Sequence, residues 1–165
     1  MNKERATEII CSVFAGAGLS FSTDLSYPKL ATVTHAFHSY AIKSDVKFAV
    51  SFFEGLGYDW SRPSLNFNIS LDDQWLDEIP EGVYPLLNDF NCSSDLFKAY
   101  INTEFNSLSI IYKVENATDE SRIVDATALM LKEFERTVRN DELEECRALC
   151  AIVECLNGEA TDEAY

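Results

Sequence analysis

The sequence predicts an α+β domain in which an antiparallel sheet carries its helices on one face, in the order α-β-β-β-α-β-β-α-α. Three observations lead there. Apolar residues recur at helical spacing near both ends of the chain and at period two in its middle. The strand-like segments come in blocks instead of alternating singly with helices, which favours an antiparallel sheet over a βαβ plan. The chain has 165 residues, 47% of them apolar, enough to bury one core without a metal or disulfide staple. One domain is expected over residues 1–158, with 159–165 a flexible acidic tail.

The first helix is read over residues 3–17, where Ile9, Ile10, Val13, Phe14 and Ala17 share a stripe and Gly16 and Gly18 supply a stop. Residues 20–28 are rich in Ser, Asp and Tyr and are broken by Pro28, and a first strand is placed at 29–37. Val46–Phe53 is a second strand, β-branched and aromatic, ending at Gly55-Leu56-Gly57. Ser64–Leu71 is the clearest: Leu65, Phe67, Ile69 and Leu71 alternate with Asn66, Asn68 and Ser70.

A short helix is expected at 81–89, with Pro80 opening its first turn. Leu96–Ile101 and Ser107–Val114 then read as a hairpin, its connection polar apart from Phe105. Thr118 is expected to cap a long helix whose core stripe is Ile123, Thr127, Met130, Phe134 and Val138. Asp141 is expected to cap a final one, with Leu143, Cys146, Cys150, Val153 and Leu156 recurring before Asn157-Gly158.

The formal net charge is −15. It argues against direct binding to nucleic acid phosphates or to an anionic membrane, both of which need clustered Lys and Arg. It is compatible with simple solubility, with steering of a basic partner, or with imitation of a DNA phosphate array. Residues 9–19 are apolar but about half a membrane span long, and no secretory signal pattern is seen, so a cytoplasmic location is expected. Five cysteines, three of them on one helix, are not a disulfide framework and fit the same compartment.

No catalytic motif stands out. The glycine pairs Gly16/Gly18 and Gly55/Gly57 lack the Lys-Ser/Thr or third glycine of a phosphate loop. His35 and His38 lack further zinc ligands; a helix would put them on one face and a strand on opposite faces. The cysteines read as small core side chains. The acidic pairs, including the run 141–145, read as solvated surface and helix caps. Trp60 and Trp75 flank the clearest strand and read as core. No catalytic residue, metal site or cofactor is assigned.

The stretch Leu86-Leu87-Asn88-Asp89-Phe90-Asn91, the following Phe97-Lys98-Ala99-Tyr100-Ile101, the arm Leu108-Ser109-Ile110-Ile111-Tyr112 and a helix of the type Ile123…Leu131…Phe134 resemble the YbjN family of bacterial proteins. The likeness covers about residues 82–138 and is a pattern of apolar positions with two asparagines. That family is similar in fold to the class I chaperones of type III secretion, which are small, acidic, often dimeric proteins that bind unfolded segments. The resemblance implies a chaperone-like or regulatory protein-binding role in the bacterial cytoplasm, a homodimer, and no enzymatic chemistry. Phe105, at the hairpin tip, and Tyr100 and Ile111, on its arms, are the candidate partner-binding residues. The alternative is an acidic DNA mimic or anti-defence inhibitor that occupies a basic nucleic-acid-binding protein.

Overall fold

A computed structural model describes residues 1–55, 62–71, 78–104 and 107–158. The fold is α+β. Among the described residues, four helices accompany a six-stranded antiparallel sheet with strand order β1-β2-β3-β4-β6-β5. The elements are α1 (Lys3–Gly16), β1 (Ser22–Tyr27), β2 (Leu30–Ser39), β3 (Ser44–Phe53), β4 (Ser64–Leu71), α2 (Val83–Ser93), β5 (Lys98–Asn102), β6 (Ser107–Glu115), α3 (Glu120–Arg139) and α4 (Glu144–Leu156). One strand more than expected therefore precedes α2. The expected tail, 159–165, lies outside the described residues, as do Trp60, Trp75 and Phe105.

The added strand is β1, and its absence from the sequence reading has a physical cause. β1 lies at the edge of the sheet and five of its six residues are exposed, so no buried alternation marks it. Its register with β2 runs Ser22↔Thr34, Thr23↔Val33 and Asp24↔Thr32, then shifts before Tyr27↔Leu30. That irregularity bends the edge strand. Inside the sheet the alternation is clear. Ala31, Val33 and His35 on β2, Val46, Phe48, Val50 and Phe52 on β3, and Leu65, Phe67 and Ile69 on β4 are buried, while the residues between them are not.

The chain folds as two compact units, and β2, β3, β4, β6 and α3 contribute residues to both. The first comprises Met1–Ala36, Lys47–Asn68 and Tyr112–Lys132. Its core is aromatic: Phe14 of α1 stacks on Phe48, Phe48 on Phe67, with ring centroids 6.1 and 6.2 Å apart, and Tyr112 follows at 6.4 Å from Phe67. α1 starts where the Asn2 side chain accepts the Arg5 N–H at 2.8 Å. It stops at Gly18, whose φ of 74° lets its N–H reach Ala15 and the Leu19 N–H reach Phe14, so the last carbonyls are satisfied. α3 is capped by Asp119, not by Thr118. The Asp119 carboxylate accepts the Arg122 N–H at 2.9 Å and the Ser121 hydroxyl at 3.0 Å. Those bonds hold its carboxyl below the ordinary Asp range. Asn116, three residues before the cap, takes a left-handed φ of 57°.

The second unit comprises Phe37–Val46, Ile69–Ile111 and Glu133–Tyr165. Phe134 of α3 is fully buried edge-on against Phe37 of β2 at 5.6 Å, and the Arg139 guanidinium lies 4.0 Å over the Phe37 ring. Ser39 donates its hydroxyl to the Val138 carbonyl and accepts the Ile42 N–H, which fixes the end of β2 to the end of α3. α2 begins two residues later than expected and runs four further, with Pro85 in its first turn, where no intrahelical N–H is needed. α4 begins after Leu143 with no side-chain cap, so the anticipated Asp141 cap is not formed; the Asn140 side chain accepts the Glu142 N–H in the turn that precedes the helix. Its buried stripe is Cys146, Leu149, Ile152, Val153 and Cys155, rotated from the expected one, so that Cys150 is only half-buried. α2 and α4 pack on each other, and a Cβ at Gly82 would lie 3.8 Å from the Cys155 sulfur.

Candidate protein-binding surfaces

Two of the three anticipated partner-binding residues come together. In the β5–β6 hairpin the register is Lys98↔Ile111, Ala99↔Ile110, Tyr100↔Ser109 and Ile101↔Leu108. Ala99 and Ile110 are buried, so the neighbouring positions 98, 100, 109 and 111 project from the opposite side. Tyr100 and Ile111 are thus diagonal neighbours on the outward face of the hairpin, Tyr100 with 46% of its surface exposed and Ile111 half-buried. Phe105 falls outside the described residues.

The outer edge of this hairpin is already occupied. β5 is the last strand of the sheet. Asn91, at the end of α2, donates from its amide to the Ala99 carbonyl at 2.9 Å and accepts the Ala99 N–H at 2.7 Å. One side chain thereby takes both backbone groups that an added strand would use at that residue. Lys98 closes the arrangement by donating to the Asn91 and Ser94 carbonyls, each at 2.8 Å, at the helix end where the dipole favours a cation. Ser94 Oγ accepts the Phe97 N–H at 3.1 Å. In the first unit, Lys3 does similar work on β1, with its ammonium 2.7 Å from the Leu25 carbonyl and 2.6 Å from that of Tyr27. Addition of a strand from a partner, as extended-peptide binding at a sheet edge requires, meets protein groups already in place at both positions.

The titratable residues singled out in the sequence are dispersed. His35 is buried, with Nδ1 2.7 Å from the Ser20 carbonyl oxygen. His38 points the other way, and its Nδ1 is 2.8 Å from an Asp45 carboxylate oxygen, with the exposed Tyr40 ring edge-on at 4.8 Å. Cys146 and Cys155 are buried, and burial pushes both thiols up, Cys146 to about 11. Cys92 is exposed. Among the described residues no group of three His, Cys, Asp or Glu side chains is disposed to hold a metal ion. No helix among them is long and apolar enough to cross a membrane.

One acidic residue departs from the expected solvated role. Glu145, in the first turn of α4, is 6% exposed. Burial pushes its carboxyl up, against the pull of Arg136, whose guanidinium stands 3.8 Å away and is shared with Glu133 at 3.2 Å. Spacing and composition carry no signal for this, because Glu145 lies in a run of five residues with four carboxylates and only the packing of α4 selects one to turn inward.

A second surface of this unit escaped the sequence reading. An open valley of about 580 Å³ runs between α2 and α4, with Leu86, Asp89 and Cys92 on one wall and Glu144, Ala148 and Ala151 on the other. The chain matches no family model, no curated protein and no solved structure.

Proposed function

We propose that this chain is a non-enzymatic protein-binding module, chaperone-like or regulatory, acting on a partner protein in the bacterial cytoplasm, and that Tyr100 and Ile111 are its first contacts. The observation that carries the reading is the outward pair on the β5–β6 hairpin: a large exposed aromatic beside an aliphatic side chain, on a strand whose edge is closed by Asn91. A tyrosine with few rotatable bonds and one polar tip is the kind of side chain that anchors protein interfaces. With the edge closed, the partner lies across the face of the hairpin instead of extending the sheet. The net charge of −15 adds long-range attraction for a basic partner and speeds its approach. The likeness to YbjN proteins and secretion chaperones points to the same class of role.

The test is affinity capture from the native host with the wild-type chain and with Tyr100→Ala/Ile111→Ser, each first shown to melt at the same temperature. A protein retained by the wild type and lost from the double variant supports the reading. Equal retention by both, or a chain that captures nothing and is strictly monomeric by light scattering, overturns it. Capture of a basic nucleic-acid-binding enzyme that DNA displaces would move the assignment to a DNA mimic.

A further inference from the structure

The valley between α2 and α4 is shaped for something other than the hairpin face takes. The apolar part of its lining is formed by Ala148 and Ala151, one turn apart on α4, and by Leu86 of α2, all three half-buried. Small side chains at i and i+3 let an incoming backbone approach closely. The valley is open along its length, so a ligand lying in it keeps one side in water, which suits an amphipathic helix better than an enclosed small molecule. α2 has 11 residues and so spans about 16 Å, enough for apolar anchors at i, i+4 and i+7 of a partner helix.

The rim selects the sign of that helix. Asp89 stands on the α2 wall and Glu144 on the α4 wall. The one cation of the lining, Arg147, donates at 2.9 Å to the Glu142 carbonyl of its own chain. Of the carboxylates in residues 83–93 and 140–158, Glu145 is buried beside Arg136 and Glu154 stands 3.9 Å from Lys43, which leaves Asp89, Asp141, Glu142 and Glu144 exposed against Arg147, a net charge of −3. An acidic helix would meet like charge on both walls.

We infer that the α2–α4 valley docks a basic amphipathic helix of a partner protein, with its apolar stripe on Ala148, Ala151 and Leu86 and its Lys or Arg residues over Asp89 and Glu144. The inference rests on the protein-binding reading and names the partner element that reading leaves open.

The probes are a synthetic helical peptide of Leu and Lys and its Leu and Glu counterpart, titrated against the full chain by fluorescence anisotropy. The Leu/Lys peptide is expected to bind and the Leu/Glu peptide to fail. Ala151→Phe fills the valley without changing charge, and is expected to weaken binding at least tenfold at an unchanged melting temperature. Asp89→Asn/Glu144→Gln is expected to weaken it and to flatten its salt dependence. Bound peptide is also expected to slow alkylation of Cys92 in the wild-type chain, a readout that needs no variant to fold. Affinity indifferent to Ala151→Phe together with an unchanged Cys92 rate would mean attraction to acidic surface at large, and overturns the inference, as does the absence of binding. Tyr100→Ala/Ile111→Ser separates the two readings. If host-protein capture is lost in that variant while the Leu/Lys peptide leaves Cys92 unprotected, the hairpin face stands and the valley falls. If Cys92 is protected and capture is unaffected, the reverse holds.

Discussion

The Asn91 side chain pairs with the backbone of Ala99 as another strand would, accepting its N–H at 2.7 Å and donating to its carbonyl at 2.9 Å. The two residues are eight apart in sequence, and between them the chain ends α2, turns and enters β5. A single amide therefore anchors a helix end and closes a sheet edge. Asn91→Ala leaves both Ala99 groups without their partner, which costs about 1–3 kcal/mol if water does not replace it. Urea unfolding should show that loss, and the freed edge should bring concentration-dependent association in light scattering. An unchanged midpoint with no association would show that the pairing contributes nothing.

Phe134 is fully buried against Phe37. Phe134→Ala should cost about 3–5 kcal/mol through lost burial and the cavity left behind. Val124, on the same helix and 39% exposed, should tolerate Ala with little change, and thermal melts of the two variants check the contrast.

The pH dependence has two opposed parts. The Glu145 carboxyl is raised by burial, so the folded chain holds that proton more tightly than the unfolded one. Its contribution to stability is largest below its ordinary value of 4.5 and declines as pH rises through its raised folded value. Asp119 and Glu120 are lowered, by the Arg122 N–H and by the Arg5 guanidinium respectively. Their contribution is present above the ordinary carboxylate range and is lost as pH falls. Glu145→Gln should therefore gain on the wild type as pH rises from about 4 towards about 8, measured as the difference in urea midpoints. Parallel profiles would count against a buried, titrating Glu145.

Cysteine reactivity should follow burial. The thiolate is the reacting species, and Cys146, buried and pushed up to about 11, supplies almost none of it near neutral pH. Iodoacetamide should modify Cys92 first and reach Cys146 and Cys155 only in denaturant, as peptide mass mapping would reveal. Early modification of Cys146 would mean that α4 opens readily.

Much of the architecture was legible in the chain because burial imposes a period. The stripe Ile123, Thr127, Met130, Phe134 and Val138 is buried to the last residue, and the Leu65, Phe67, Ile69 alternation of β4 holds. In each of these segments burial falls on one stripe or one face, so the spacing of the apolar residues reports the local backbone directly. β1 was illegible for the converse reason: an edge strand exposed on nearly every residue has no period to read. The α4 stripe was misplaced by a rotation, because Cys146, Leu149, Cys150, Ile152, Val153 and Cys155 offer two overlapping apolar stripes and only the docking of α2 chooses between them.

The same division holds for function. The class of fold, the charge, the core stripe of α3 and a hairpin bearing Tyr100 and Ile111 could all be read from the residues in order, since each follows from local periodicity and composition; the α1 stripe was read only in part, with Ile9, Ile10 and Phe14 buried as expected but Ala17 exposed past the helix end and Ala6 and Thr7 buried in addition. It took the packed chain to show that Asn91 closes the β5 edge, that Glu145 turns inward, and that α2 and α4 leave a valley lined by Leu86, Ala148 and Ala151. Each of these joins residues from separate elements, and neither spacing nor composition encodes which element will lie beside which.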